Sequence, residues 1–198
     1  MLNVAIFIYD EVEVLDFAGP FEVFNTASRL VRRERPPEEA PFRVFTVAEG
    51  GAPVRARGGL VVLPEFAFGA HPRPDVLLVP GGVVDAELRK PAVETWLHAQ
   101  AAGAQIVASV CTGAFLLAKI GLLDGLRATT HWEDIADLRR MATATRVEEN
   151  MRWIDEGRVV TSAGISAGID MSLHLVGRFV SRDLAVSTAR QMVYAVRD

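Results

Sequence analysis

The sequence predicts an α/β sandwich: a mainly parallel sheet with helices on both faces, carrying an added antiparallel hairpin. Three observations lead there. Short apolar, β-branched runs (Val4–Tyr9, Phe42–Ala48, Asp75–Val79, Gln105–Val110) alternate with longer stretches of helical periodicity. Two of these runs end directly on turns of small residues, Pro80-Gly81-Gly82 and Cys111-Thr112-Gly113. With 198 residues, 50% of them hydrophobic, the chain is long enough to bury a sizeable core as a single domain, 1–198.

Val4–Tyr9 reads as a fully buried first strand. Leu15–Leu30 carries a helical pattern interrupted by Gly19-Pro20, so the helix proper is expected to start at Pro20, a favoured first-turn residue. The charged stretch from Arg32 to Glu39, with Pro36 and Pro37 inside it, is expected to be a solvated loop. Phe42–Ala48 is the second strand. Gly50-Gly51 and Gly58-Gly59 punctuate a short hairpin-like segment ahead of Leu60–Leu63. His71–Pro74 is an extended connector into Asp75–Val79, the clearest central strand. Pro91–Ala102 makes an amphipathic helix with Val93, Trp96, Leu97 and Ala101 on one side. Gln105–Val110 is a further strand, and Thr112–Leu123 a buried helix behind it. Glu133–Met141 reads as a polar surface helix. Met151–Ile154 and Arg158–Thr161 flank Asp155-Glu156-Gly157 as a hairpin. Two helices close the chain: Ser166–Val180, with Ile169, Leu173, Val176 and Val180 on one stripe, and Asp183–Val196.

Composition narrows the function classes. A net charge of −4 and a pI near 5.6 argue against a nucleic-acid surface. One cysteine excludes an intrachain disulfide framework and fits a reducing compartment. The N-terminus has no positive leader and reaches Asp10 after a six-residue apolar run, so it reads as a strand and not a signal peptide. No apolar run approaches the ~18 residues of a membrane span. The expectation is a soluble cytoplasmic protein with neither nucleic acid nor membrane as partner.

The lone cysteine, Cys111, stands where a strand-like run meets a helix-like run, flanked by Ser109, Val110, Thr112 and Gly113. That junction has the makings of a nucleophile elbow, in which small neighbours relieve a crowded turn. Helix-end N–H groups there favour negative charge, so the thiol is expected to ionise more readily. The bland alternative is an inert core cysteine. Asp16, in Leu15-Asp16-Phe17-Ala18-Gly19-Pro20, is the best proton partner, or else a helix cap. If the two touch in an apolar site, they share one proton and titrate as a unit. Gly81 and Gly82 offer unshielded backbone N–H groups for an oxyanion hole, with the Thr112 amide as a further donor and its hydroxyl for a polar substrate atom or water. A Gly-Gly pair also serves any strand-to-helix turn. His131 is placed to orient a substrate or act as a base, or is simply hydrogen-bonded beside Trp132. Asp10, Glu11 and Glu13 are expected in solvent, His71 and His98 in structural roles, and Asp170 with His174 as a local pair. No metal-ligand spacing is present.

Together these residues resemble the ThiJ/PfpI superfamily, flavodoxin-like relatives of class I glutamine amidotransferases. The motifs that carry it are Leu15–Pro20, Val79–Gly82, Ser109–Gly113, Ala128–Trp132 and Ser162–Asp170, and the likeness runs from Val4 to about Val180. It is closest to the isonitrile hydratase branch and to the sensor domains of AraC-type regulators. The resemblance implies a flavodoxin-like three-layer sandwich, a small-molecule substrate, no cofactor and a homodimer. It also implies catalytic roles for Cys111, Asp16 and Thr112 in hydrating isonitriles to N-substituted formamides. Protease-like members place histidine directly after the cysteine, where this chain has Thr112. Two other readings follow from the same resemblance. One is a stand-alone ligand sensor, for which the end of the chain at Asp198 leaves no helix-turn-helix region expected. The other is a redox-sensing or carbonyl-detoxifying cysteine. Phe17, Trp132 and Ile165 are candidates for shaping the substrate pocket.

Overall fold

The computed structural model describes residues 1–34 and 39–196. In chain order the elements are β1 (Leu2–Phe7), α1 (Val14–Glu34), β2 (Phe42–Ala48), β3 (Val54–Arg55), β4 (Val61–Val62), β5 (Phe66–Ala67), β6 (Val76–Val79), α2 (Pro91–Gly103), β7 (Ile106–Val110), α3 (Gly113–Lys119), β8 (Arg127–Ala128), α4 (Ile135–Met141), β9 (Arg146–Val147), β10 (Trp153–Asp155), β11 (Val159–Ser162), α5 (Ala167–Phe179) and α6 (Arg182–Gln191).

Seven strands form one sheet in the order β10-β11-β7-β6-β1-β2-β5. Every pairing is parallel except β10 with β11. β6 and β7 are buried at every position, as strands covered on both faces require. From β1 the chain moves to β2 on one side, whereas from β6 it moves to β7 on the other. Right-handed crossovers therefore put α1 on one face and α2 on the opposite face. α5 and α6 pack against α1. β1 and β6 are parallel neighbours from which the connections leave in opposite directions across the sheet, and this opens a crevice at their carboxyl ends. β7 lies next to β6, so the segments following β1, β6 and β7 converge on that crevice.

Several boundaries differ from the sequence reading. α1 begins at Val14 and carries Pro20 inside it. Burial of Phe17, Val23, Phe24 and Ala27 holds the helix together across the missing N–H. Gly19 has a packing role: a Cβ there would stand 2.9 Å from Ile169 Cγ1 of α5. Arg32, Arg33 and Glu34 extend α1 instead of opening the expected loop, whose residues 35–38 lie outside the described residues. α3 stops at Lys119, just before Gly121 takes a positive φ of 72°. Val180 caps α5 and is 39% exposed, so it leaves the buried stripe formed by Ile169, Leu173 and Val176. α4 is not wholly polar, since Ile135 and Leu138 are buried. No helix among the described residues is long and apolar enough to cross a membrane.

Candidate functional site

Cys111 sits in the crevice at the turn from β7 into α3, with a positive φ of 57°. A non-glycine residue adopts that conformation only when its surroundings hold it there. Here Cys111 N–H donates to Ser162 O at 3.1 Å, tying the turn to β11. The buried Thr130 hydroxyl donates to Cys111 O at 2.8 Å, fixing the other end of the residue. Gly113 allows α3 to start against β6: a Cβ at this position would lie 2.0 Å from Val79 O. Gly113→Ala is therefore expected to lower stability by about 3 kcal/mol, because backbone must move to relieve the clash. A shift in the urea unfolding midpoint checks this; an unchanged midpoint contradicts it.

Asp16 lies in the first turn of α1 and is completely buried. Its Oδ2 accepts from Gly81 N–H at 3.1 Å, and its Oδ1 has no hydrogen-bond partner among the described residues. Burial raises its pKa to about 7, helped by the Glu13 carboxylate and opposed by Gly81 N–H and the adjacent Cys111 thiol. The thiol is itself pushed up, first by burial and then by the Asp16 charge, against the Thr112 amide. That corrects the expected low-pKa thiol: a single helix-end N–H does not offset desolvation beside a carboxylate. The resting pair thus keeps its proton on sulfur, next to a carboxyl that titrates near neutrality.

Gly81 and Gly82 are packed into the centre of the site. A Cβ on Gly81 would meet Thr112 N at 2.5 Å, and one on Gly82 would meet Glu11 O at 2.2 Å. Gly82 N–H donates to Thr112 Oγ1 at 2.9 Å, and the same hydroxyl donates to Gly82 O at 2.8 Å. Both glycine amides are thus engaged by protein acceptors, which differs from the expected pair of open donors. The Thr112 hydroxyl still has a lone pair to offer. Thr112→Val strips both partners from Gly82 and is expected to cost about 1–2 kcal/mol by chemical denaturation, with Thr112→Ser restoring most of it. Equal stability of all three proteins contradicts this account of the hydroxyl.

Above these residues lies a cleft of about 220 Å³, with Cys111, Thr112 and Gly82 at its base. Glu13, Arg57, His131, Glu133, Asp134 and Ile165 complete its walls. His131 Nδ1 lies 3.4 Å from Asp134 Oδ2 and accepts from Glu133 N–H at 3.4 Å. Gly164 separates the imidazole from the thiol: a Cβ there would meet Cys111 Sγ at 2.7 Å and His131 Cδ2 at 2.8 Å.

All six residues chosen from sequence thus lie at one place, with Asp16 beneath the cleft and the other five lining or underpinning it. Of the three pocket candidates, Ile165 lines the cleft, Phe17 is buried and Trp132 is 74% exposed at the surface. Glu13, expected in solvent, lines the cleft and acts on Asp16. Its spacing three residues ahead of Asp16, in the same turn, was the available signal. Arg57 had none, since it reaches the site only through the fold, whereas Thr130 stands inside the Ala128–Trp132 motif beside His131. His71 is structural as expected, accepting the Trp96 indole N–H at 2.9 Å. Asp170 and His174 do not form the expected local pair. His174 meets Asp155 at 2.7 Å, while Asp170 is held by Arg152 and Tyr194.

The DJ-1/PfpI family model matches residues 2–178. Over 195 residues the chain is 33% identical to the isonitrile hydratase of Pseudomonas putida, covering 98% of this chain and 79% of that protein. Over 193 residues it is 31% identical to the HTH-type transcriptional regulator GbdR of Pseudomonas aeruginosa, covering 97% of this chain but only 50% of the regulator. Among solved structures, a ThiJ/PfpI family protein of Pseudomonas syringae superposes with a TM-score of 0.85 at 26% identity, covering 100% of this chain and 76% of that one. Drosophila melanogaster DJ-1beta shares the fold, with a TM-score of 0.81 at 18% identity over 98% of each chain. With the family model matching residues 2–178 and a relative 33% identical over 98% of the chain, the chain belongs to the DJ-1/PfpI family.

Proposed function

We propose that the protein is a cysteine-dependent hydratase that converts isonitriles to N-substituted formamides. The observation that carries this reading is the buried Asp16 carboxyl, titrating near 7 beside a protonated Cys111 thiol. A terminal isocyanide carbon needs both a nucleophile and a proton, and this pair supplies the two in sequence. Asp16 takes the thiol proton as sulfur attacks the isocyanide carbon, then returns it to that carbon. The product of this half is a thioimidate, with a new S–C bond and the thiol hydrogen on carbon. Water held by Asp16 and the free lone pair of Thr112 adds to the C=N bond, with its hydrogen passing to nitrogen. Collapse of the tetrahedral adduct re-forms the C=O bond, breaks the S–C bond and returns the remaining hydrogen to the thiol. The net reaction adds one water to one isonitrile. In this scheme Gly81 holds Asp16 and Gly82 holds Thr112, while His131 borders the substrate.

Incubation with cyclohexyl isocyanide tests the reading, with the product followed by NMR. Appearance of N-cyclohexylformamide at a rate proportional to protein is expected; none at millimolar substrate contradicts it. A second reading is a ligand-sensing module, supported by the near-equal identity to the regulator GbdR. Saturable binding of small amides or acids without turnover favours it. The redox-sensor reading gains less support, because burial and Asp16 push the thiol up and thiolate is the species that peroxide oxidises.

A further inference from the structure

Three carboxylates surround the mouth of the cleft: Glu13, Glu133 and Asp134. They face one guanidinium, Arg57, whose nearest Nη atom is 3.5 Å from Glu13 Oε2. His131 Nδ1 is near both Glu133 and Asp134, 3.7 Å from the first and 3.4 Å from the second. Even with His131 protonated, the rim stays negative. The buried Asp16 carboxyl beneath the floor adds to that sign whenever it is ionised. Glu133 is 63% exposed at its side chain and Glu13 only 21%, so the negative charge runs from the entrance to the interior wall. Of the residues that complete the walls, Ile165 alone is apolar.

A small cleft with that lining discriminates by charge. A ligand that carries a carboxylate or phosphate meets like charge along its whole path to Cys111, and Arg57, even joined by a protonated His131, does not offset it. A ligand that carries an ammonium group meets the opposite field. We propose that this site selects small molecules bearing an organic cation, a primary or quaternary ammonium, and rejects anionic ones. As a refinement of the hydratase reading, the substrate class becomes isocyanides with a cationic substituent, and Glu13, Glu133 and Asp134 become its specificity-determining residues. Cys111 is the reacting thiol, but the selectivity of the cleft does not depend on which reaction follows.

The single cysteine of the chain makes the test clean, because every covalent label reports on this cleft. Methanethiosulfonate reagents of matched size carry a trimethylammonium, a neutral methyl or a sulfonate group. In each, the thiol loses its proton to solvent, sulfur attacks the reagent's divalent sulfur, and methanesulfinate leaves as the mixed disulfide forms. Labelling of the full chain is followed by intact mass, with each rate divided by that of a small free thiol. The cationic reagent is expected to outpace the anionic one by about fivefold near physiological salt, a Coulomb effect across several ångströms. The ratio should fall toward unity at 1 M salt. Glu133→Gln, at an exposed position that the fold does not need, should lower it, and Arg57→Gln should raise it. Equal rates, faster anionic labelling, or a ratio indifferent to both substitutions overturns the proposal. Failure of the two readings is separable. Cation-first labelling without formamide formation from any isocyanide removes the hydratase chemistry and leaves the selectivity. Formamide formation with charge-blind labelling does the reverse.

Discussion

Asp16→Asn is expected to lower turnover by about a thousandfold while making the protein more stable above neutral pH. Both effects come from one buried carboxyl. In the wild type, Asp16 has its pKa raised from 3.8 to about 7 by burial. A carboxyl raised in the folded state contributes its full stability below its unfolded pKa, and that contribution is lost as pH rises through the folded value. For Asp16 the window runs from about pH 4 to about pH 7, and the loss is on the order of 4 kcal/mol. Asparagine keeps an acceptor for Gly81 N–H and carries no charge to desolvate, so this pH-dependent loss disappears. Melting temperatures of wild type and variant should therefore converge near pH 4 and separate near pH 8, with the variant higher. The catalytic effect has the opposite sign. The thiol holds its proton at rest, so turnover requires an ionised Asp16, and kcat/KM should rise with pH through about 7. In Asp16→Asn that limb is lost with the base. A variant that is less stable at pH 8, or one that retains the limb, contradicts the assignment.

Cys111→Ala is the second large effect. Removing the sulfur abolishes the covalent route, and the residual rate is expected at the uncatalysed level. The fold should survive. The turn is held through backbone groups, Cys111 N–H to Ser162 O and Cys111 O from Thr130, and alanine retains the Cβ that packs there. Removing the thiol also removes a neighbour that favours the charged form of Asp16, so any residual titration of Asp16 should move upward. Unfolding curves separate a chemical loss from a structural one: intact stability with no turnover is the predicted combination.

The parts of this fold legible in the sequence are those whose signal is local. β6 and β7 are continuous apolar runs because both their faces are covered, and the turns that follow them are marked by Gly81, Gly82 and Gly113. α2 declared its buried face through Val93, Trp96, Leu97 and Ala101. Features decided by tertiary contact were not legible. Pro20 suggested a helix start, but the apolar residues of α1 pack on both sides of it and override the break. The short strands β5, β8 and β9 have two residues each, too few to establish a period. At the site, Asp16 and Cys111 were found because each stands in a recognisable turn. The direction of the thiol's pKa was not legible, because desolvation is a property of the packed site and helix position is a property of the sequence. Arg57 enters through the hairpin of β3 and β4, whose placement over the crevice is set by Arg57 N–H bonding to Val12 O at 2.9 Å.

The central claim is that Cys111, with Asp16 as its proton partner, performs chemistry on an isocyanide carbon. The most direct measurement compares wild type and Cys111→Ala side by side, at equal concentration and pH 8, with cyclohexyl isocyanide as substrate and formamide as the readout. The account predicts steady formamide production by the wild type and none above background by the variant. Formamide from both proteins, or from neither, contradicts it.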